Sequence, residues 1–345
     1  MRALTRAGLT QVNARLAAEV LVTTDTWGVH THGTKNLRGY IRRLQAGGLS
    51  ATAEPRVEAE GPGWARIDGC SALAMVTSVK AMRIAMQKAR ASGIGFSAVR
   101  NSCHFGAAGY YAQLAAQEGM IGIAMANDIP TVIAPGARAA VLGSNPFAFS
   151  APLSEGRPVL FDIATSTVAG GKVFQAATAG ETIPEGWIVD ESGMPTTDPT
   201  LFPHSAALTP MAGHKGFGLA LMIEALSGIV TGAALASHVK SWTYADPSLP
   251  TDHGAAFIAL DIQTFTPLAH FIARFESLAR EIRNAPRTPG VDRIFLPGER
   301  EWERRERALR EGIVLPPDVQ QNIELLAQDL GLDYQDALPR SPEVL

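Results

Sequence analysis

The segment from residue 75 to residue 126 constrains the fold more than any other part of this chain. Met75, Val79, Met82 and Met86 recur at helical spacing, and Gly93 closes the pattern. A strand-like run over 95–99 follows, then the polar segment 101–106, a helical stretch to Gln117 and a second strand pattern over 120–126. Alternation of this kind builds a sheet covered by helices, so the spacing predicts an α/β fold. With 345 residues, 46% hydrophobic and 18% charged, the chain can bury the core that such a sheet needs, in one large domain or two modest ones.

On the amino side, Val12, Leu16, Val20 and Leu21 mark a helix ending near Asp25, and Leu37, Tyr40, Ile41 and Leu44 mark another that Gly47-Gly48 stops. Between them runs Asp25-Thr26-Trp27-Gly28-Val29-His30-Thr31-His32-Gly33, a turn with two histidines. Thr31 stands where it would N-cap the second helix, which would set His32 beside free N–H groups at the positive end of the helix dipole. Residues 55–68 read as a connection with short strands. Pro130, Pro135 and Pro146 break the alternation into a long loop region around Gly143-Ser144-Asn145-Pro146. A strand over 158–163 carries Asp162 near its end, and another spans 256–260. From about residue 265 the chain reads as helices, with 299–311 charge-dense and 319–330 amphipathic.

The net charge of −3 supplies no basic field for nucleic acid. Two cysteines, Cys70 and Cys103, are too few for a disulfide scaffold and suit the reducing cytoplasm. The amino terminus lacks the unbroken apolar core of a signal peptide. The stretch 217–236 is long enough to span a bilayer, but its Gly, Ala and Ser content and Glu224 favour a helix buried in a close-packed core. No membrane association is expected.

Three segments carry candidate chemistry. In Thr31-His32-Gly33, His32 would donate a proton at a helix start that can also dock a carboxylate; the alternative is a capping turn with an incidental histidine. In Ser102-Cys103-His104-Phe105-Gly106, His104 would be a second acid/base or a substrate contact, at a strand-to-helix junction where α/β proteins bind ligands. Alternatively it satisfies loop carbonyls. Gly213-His214-Lys215-Gly216-Phe217-Gly218 precedes a helix, so its glycines would admit a phosphate that Lys215 neutralises, or simply form a tight turn. It is not a Walker loop, and no Gly-x-Gly-x-x-Gly fingerprint follows any strand. A metal-dependent hydrolase with ligands His30, His32 and His104 is the competing class, although His30 and His32 lie between helices.

Six motifs in order resemble the malate/L-lactate dehydrogenase family of non-Rossmann oxidoreductases. They are Asp25-x-x-Gly28-x-x-Thr31-His32-Gly33, Ser102-x-His104-Phe105-Gly106, Gly143-Ser144-Asn145-Pro146, Asp162-x-Ala164-Thr165-Ser166, Lys215-Gly216-Phe217-Gly218 and Pro297-Gly298-Glu299. The resemblance runs from about Val12 to Leu332. It implies a homodimer that uses NAD or NADP on a small carboxylic acid, a 2-keto or 2-hydroxy acid. A cyclic imino acid is the close alternative, and a cofactor-binding relative without catalysis a further one. It also implies a non-Rossmann mixed-sheet cofactor domain, 61–264, joined to a helical domain built from 1–60 and 265–345. The family's proton-donor histidine falls on His32, with Thr31 in place of the usual serine before it, and a second acid/base falls on His104. Asp162 would orient His32 or the nicotinamide amide. Cofactor contacts fall on Asp162, Ile163, Ala164, Thr165, Ser166, Lys215, Gly216, Pro297, Gly298 and Glu299. An arginine usual four residues after the first histidine is Asn36 here, flanked by Lys35 and Arg38.

Overall fold

A computed structural model of the chain describes residues 1–333; residues 334–345, the end of the expected helical segment, lie outside them. Helices α1 (Arg2–Arg6), α2 (Gln11–Thr26) and α3 (Leu37–Ala46) come first. The Thr10 hydroxyl caps α2 by accepting from the Asn13 N–H at 3.2 Å. A hairpin of β1 (Arg56–Gly61) and β2 (Trp64–Asp68) leads into α4 (Ala74–Ser92), β3 (Ile94–Ser102), α5 (Ala108–Gln117) and β4 (Met120–Ala126). Short strands β5 (Val132–Ile133) and β6 (Ala140–Leu142) precede β7 (Phe147–Ala151), β8 (Val159–Ile163) and α6 (Gly170–Ala179). Then come β9 (Ile188–Asp190), β10 (Pro195–Thr196), β11 (Ala206–Leu208), α7 (His214–Glu224) and β12 (His253–Asp261). Helices α8 (Leu268–Arg283), α9 (Glu299–Glu311) and α10 (Pro317–Leu330) finish the described chain.

The seven-stranded main sheet has the order β1-β2-β3-β12-β4-β7-β8. Only β2 and β3 pair in parallel; the late strand β12 inserts between β3 and β4, antiparallel to both, so that Phe257 lies opposite Ser97 and Ala124. Its near-continuous apolar run suits a strand buried on both faces. The expected mixed-sheet α/β architecture is therefore the one that forms, and the antiparallel insertion separates it from a doubly wound sheet.

Helices α4 and α5 cover one face. Met75, Met82 and Met86 of α4 and Tyr111 of α5 bury against Ile67, Val99 and Phe257, and the same core takes in Leu4, Val20, Leu21, Trp302 and Leu326 from the two ends of the chain. Two glycines permit this approach. A Cβ on Gly95 would fall on the Ala85 carbonyl of α4, and one on Gly122 on the Ala112 carbonyl of α5. On the other face Ile223 of α7 packs on Met125 and Ala256.

Two stretches differ from expectation. The helix expected over 217–236 starts at His214, leaves the α ladder after Glu224, is π-helical over Ala225–Ile229 and turns at Gly232. The backbone of β12 causes the change: Gly254 lies so close beneath this turn that a Cβ there would overlap the Ser227 carbonyl. Among the described residues no helix is long and apolar enough to cross a membrane. The region expected as loop between Pro130 and Pro146 contributes β5 and β6 to a second sheet, ordered β10-β9-β11-β5-β6. Strands of two or three residues carry too little alternation to stand out in a sequence.

Candidate active site

The site begins with a buried carboxylate at the end of α2. Asp25 Oδ1 pairs with His30 Nδ1 at 3.0 Å, and Oδ2 accepts from the Thr34 N–H at 2.9 Å and the Thr34 hydroxyl at 2.6 Å. Gly33 lies against this carboxylate, leaving no room for a Cβ. Asp25 thus draws the chain into two 3-10 turns, His30–His32 and Thr34–Asn36, and α3 starts only at Leu37. This corrects the expected N-cap. The Thr31 hydroxyl bonds instead to His32 Nδ1 at 2.9 Å, and Asn36 anchors the turn by donating to the Thr31 carbonyl at 3.0 Å.

His104 arrives from β3, on the way into α5. Its ring stacks on that of His32 with centroids 5.6 Å apart and planes at 30°. It also stacks on Trp242 at 4.5 Å, and Tyr40 lies near-parallel to Trp242 at 5.2 Å. The Tyr40 hydroxyl meets His104 Nδ1 at 2.6 Å. A Cβ on Gly106 would stand 3.4 Å from the His32 carbonyl, and one on Gly171 would stand 2.9 Å from the Thr31 methyl. The Thr31 turn is therefore wedged between the His104 segment and the start of α6, and Gly171 makes room for the methyl that distinguishes Thr31 from serine.

A buried guanidinium holds the aromatic wall. Arg43 on α3, 1% exposed, donates to the carbonyls of Trp242 at 2.6 Å, Ser241 at 2.7 Å, Leu249 at 3.0 Å and Ala245 at 3.3 Å. Its rigid fork of donors matches a loop whose carbonyls would otherwise lack partners.

Burial lowers the His32 pKa, with the Asp128 charge opposing it. Burial and the neighbouring His32 together bring His104 down to about 3. Burial raises the Tyr40 phenol well above its ordinary value, so it stays protonated. A protonated Tyr40 hydroxyl donates to His104 Nδ1 in the tautomer that carries the imidazole proton on Nε2. Asp128, two residues beyond β4, has burial raising its pKa, but His253 and the Ile129 N–H outweigh that and hold it below the ordinary range. Its Oδ1 accepts from Ile129 N at 2.8 Å and meets His253 Nε2 at 3.2 Å. A buried network fixes this corner. The Glu224 carboxylate takes Asn145 Nδ2 at 2.9 Å, Asn127 Nδ2 at 3.3 Å and Ala236 N at 3.1 Å, while Asn145 Oδ1 accepts from Asp128 N at 3.1 Å.

A family model described as malate/L-lactate dehydrogenase matches residues 1–324. The chain belongs to the malate/L-lactate dehydrogenase family. It is 37% identical to a malate dehydrogenase from Pyrococcus abyssi, over 96% of this chain and 92% of that one. It is 35% identical to a ureidoglycolate dehydrogenase (NAD(+)) from Escherichia coli strain K12, over 92% and 90%. Its fold superposes on the crystal structure of a delta1-piperideine-2-carboxylate reductase from Pseudomonas syringae with a TM-score of 0.84 at 33% identity, over 95% and 96%. The chain is accordingly an oxidoreductase of the dehydrogenase type.

In this family member the motif segments meet around the end of β8. Thr165 binds the Ser144 carbonyl through its N–H at 2.8 Å and its hydroxyl at 2.9 Å, and its own carbonyl accepts from Met211 N at 2.9 Å. Ser166 bridges to Pro210, its hydroxyl turned to the Val168 carbonyl, and Gly216 N donates to the Met211 carbonyl at 2.9 Å. Ile163 and Ala164 are half-buried beside them. Lys215, in the first turn of α7, is exposed and makes no ion pair among the described residues. A bare cation at a helix start, against a glycine-lined turn, fits the phosphates of a dinucleotide. Asp162 takes the Gly109 N–H at the start of α5 at 2.7 Å rather than His32. Its side chain reaches solvent but is densely surrounded, and that burial, with Glu301, pushes its carboxyl up to about 6. The Pro297 carbonyl accepts from Leu160 N at 3.1 Å, and Gly298 packs flat on Leu160. The Glu299 carboxylate is engaged by Arg283 at 2.7 Å and by Leu296 N at 2.8 Å.

Lys35 and Arg38 are turned away from the histidines, paired with Asp318 at 2.6 Å and Asp329 at 2.7 Å on α10. His30 is held by Asp25, and among the described residues no three His, Cys, Asp or Glu side chains are arranged to hold a metal ion. Tyr40, Arg43, Asp128, Trp242 and His253 escaped the sequence reading. Of these only Asp128 carried a signal, since it follows a strand end, where α/β sheets place ligand groups.

Proposed function

We propose that this enzyme transfers hydride between NADH or NADPH and a small 2-keto or 2-hydroxy carboxylic acid, with His32 carrying the proton and His104 donating a hydrogen bond to the reacting oxygen. The observation that carries this reading is the stacked pair of imidazoles, each with Nδ1 already engaged, by Thr31 and by Tyr40, so that both Nε2 atoms are left for substrate. The nicotinamide supplies or accepts hydride when bound. His104, neutral far below neutral pH, polarises the oxygen as a donor without itself changing charge. His32 takes the hydroxyl proton during oxidation and returns it during reduction.

Asp162 to Ser166, Lys215, Gly216 and the Pro297-Gly298-Glu299 turn form the cofactor cradle, with Lys215 on the phosphates and Asp162 ordering the α5 start beside His104. Reduction of a cyclic imino acid is the second reading, favoured by the likeness to the piperideine-carboxylate reductase. NADH and NADPH consumption with a panel of keto acids and cyclic imino acids tests both. Failure of every pair to turn over sinks the assignment.

The enzyme works as a homodimer in the cytoplasm. Supporting the dimer is an apolar stripe of exposed Leu221, Met222, Ile229 and Val230 along α7 and its π-helical continuation. Two free cysteines fit a reducing compartment. Among the described residues, 1–60 and 265–333 make the helical unit and 61–264 the cofactor unit. Light scattering on the purified protein checks the dimer, and a monomer excludes it.

A further inference from the structure

The Thr31 side chain is confined against the start of α6. A Cβ on Gly171 would stand 2.9 Å from the Thr31 methyl, 3.3 Å from the Thr31 Cβ and 3.9 Å from its hydroxyl oxygen. The turn that carries Thr31 is held in place. Asn36 donates to the Thr31 carbonyl at 3.0 Å, and Asp25 grips the chain on either side through His30 and Thr34. The His104 segment lies close as well, since a Cβ on Gly106 would stand 3.4 Å from the His32 carbonyl. Helix α6 is fixed too. Its fully buried Val173 packs with Ile188, Phe202 and Leu208, and a Cβ on Gly170 would already meet the Phe202 ring at 3.2 Å.

A β-branched side chain so confined keeps a single χ1 rotamer. With the methyl seated against Gly171, the hydroxyl is directed at His32 Nδ1, 2.9 Å away. The contact joins two parts of the fold, because Thr31 follows α2 whereas Gly171 opens a helix packed on the second sheet.

We propose that Gly171 is a positioning residue for proton transfer: by lacking a Cβ it seats the Thr31 methyl, fixes the Thr31 hydroxyl as the acceptor for His32 Nδ1–H, and so keeps Nε2 as the proton-accepting atom. This rests on the proton role given to His32 above. A neutral imidazole can take a proton at Nε2 only while its own proton is on Nδ1, and the partner opposite Nδ1 decides which tautomer is held. A methyl added at Gly171 would be relieved most easily by turning Thr31 about χ1, which carries its hydroxyl away from His32.

The test compares Gly171→Ala, Thr31→Ser and the double variant with wild type. Gly171 has ordinary helical backbone and alanine is the better helix former, so the substitution does not weaken α6 itself. One readout is nitrogen NMR of the imidazole rings in isotope-labelled protein, with the His32 signals identified by their loss in His32→Ala. The other is steady-state turnover of the keto-acid and cyclic imino-acid panel. In Gly171→Ala the His32 proton should move from Nδ1 toward Nε2, and kcat should fall about tenfold with substrate KM within about twofold of wild type. Removing the Thr31 methyl should cancel the defect, so that the alanine costs less than about twofold in the Thr31→Ser background. A tautomer and a rate that Gly171→Ala leaves unchanged overturn the inference. An equal loss with and without the Thr31 methyl also overturns it and makes Gly171 a packing residue only. If wild type turns over no member of the panel while the His32 ring still responds to Gly171→Ala and recovers in the double variant, the positioning role stands and the redox reading falls.

Discussion

His32 and His104 stack 5.6 Å apart although they come from separate parts of the chain, one from the turn after α2 and the other from the β3 exit. Neither turn could hold its ring alone. Thr31 fixes one Nδ1 and Tyr40 the other, and the Arg43-anchored loop lays Trp242 against the His104 ring.

Replacing Tyr40 by Phe keeps the stack and removes the hydroxyl that donates to His104 Nδ1. The proton of His104 is then free to sit on either nitrogen, and kcat/KM should fall about tenfold, the worth of one lost hydrogen bond in a desolvated site. Steady-state kinetics and a melting curve check this: the rate should drop with little change in Tm.

Arg43→Lys keeps the charge but cannot serve four carbonyls, because an ammonium has only three donors and no planar fork. The variant should lose about 2–4 kcal/mol in denaturant unfolding. Its substrate KM should rise as Trp242 loosens, and a KM equal to that of wild type would disconnect the loop from the site.

Much of this was legible beforehand. The helix-and-strand alternation from α4 to β4 appears in the sequence because each element is long enough to show its period, with Gly93 marking the end of α4. His32, His104 and Lys215 stood out by residue type and by their place in turns. Three things were hidden. The second sheet is made of strands too short to alternate. The Thr31 cap failed because a remote carboxylate, Asp25, competes for the same turn. His253 and Trp242 reach the site only through β12 and the loop before it, whose insertion beside β4 brings His253 onto Asp128 and is a tertiary event without local signature.

The close seating of α5 on β4 gives a stability prediction. In Gly122→Ala the new methyl meets the Ala112 backbone, so helix and strand must part. Unfolding free energy should drop by about 2 kcal/mol or more, measured by urea titration. An unaltered midpoint would contradict the packing described.

Acid should weaken the fold through His104. Its folded pKa of about 3 lies below that of an unfolded imidazole near 6.5, so the unfolded state binds the extra proton between those values. Stability from this group is present above about pH 6.5 and is lost as pH falls toward 3. Asp162, raised to about 6, runs the other way, losing stability as pH rises from about 4 through 6. Melting temperatures across this range for wild type and His104→Gln should separate the two, with the variant showing the shallower acid decline.

The central claim, that the His32 imidazole moves the proton in hydride transfer, is tested most directly by turnover in His32→Ala with NADH binding measured alongside. The account predicts a rate about 10²–10⁴-fold lower with cofactor affinity nearly unchanged. A variant that turns over as fast as wild type would contradict it.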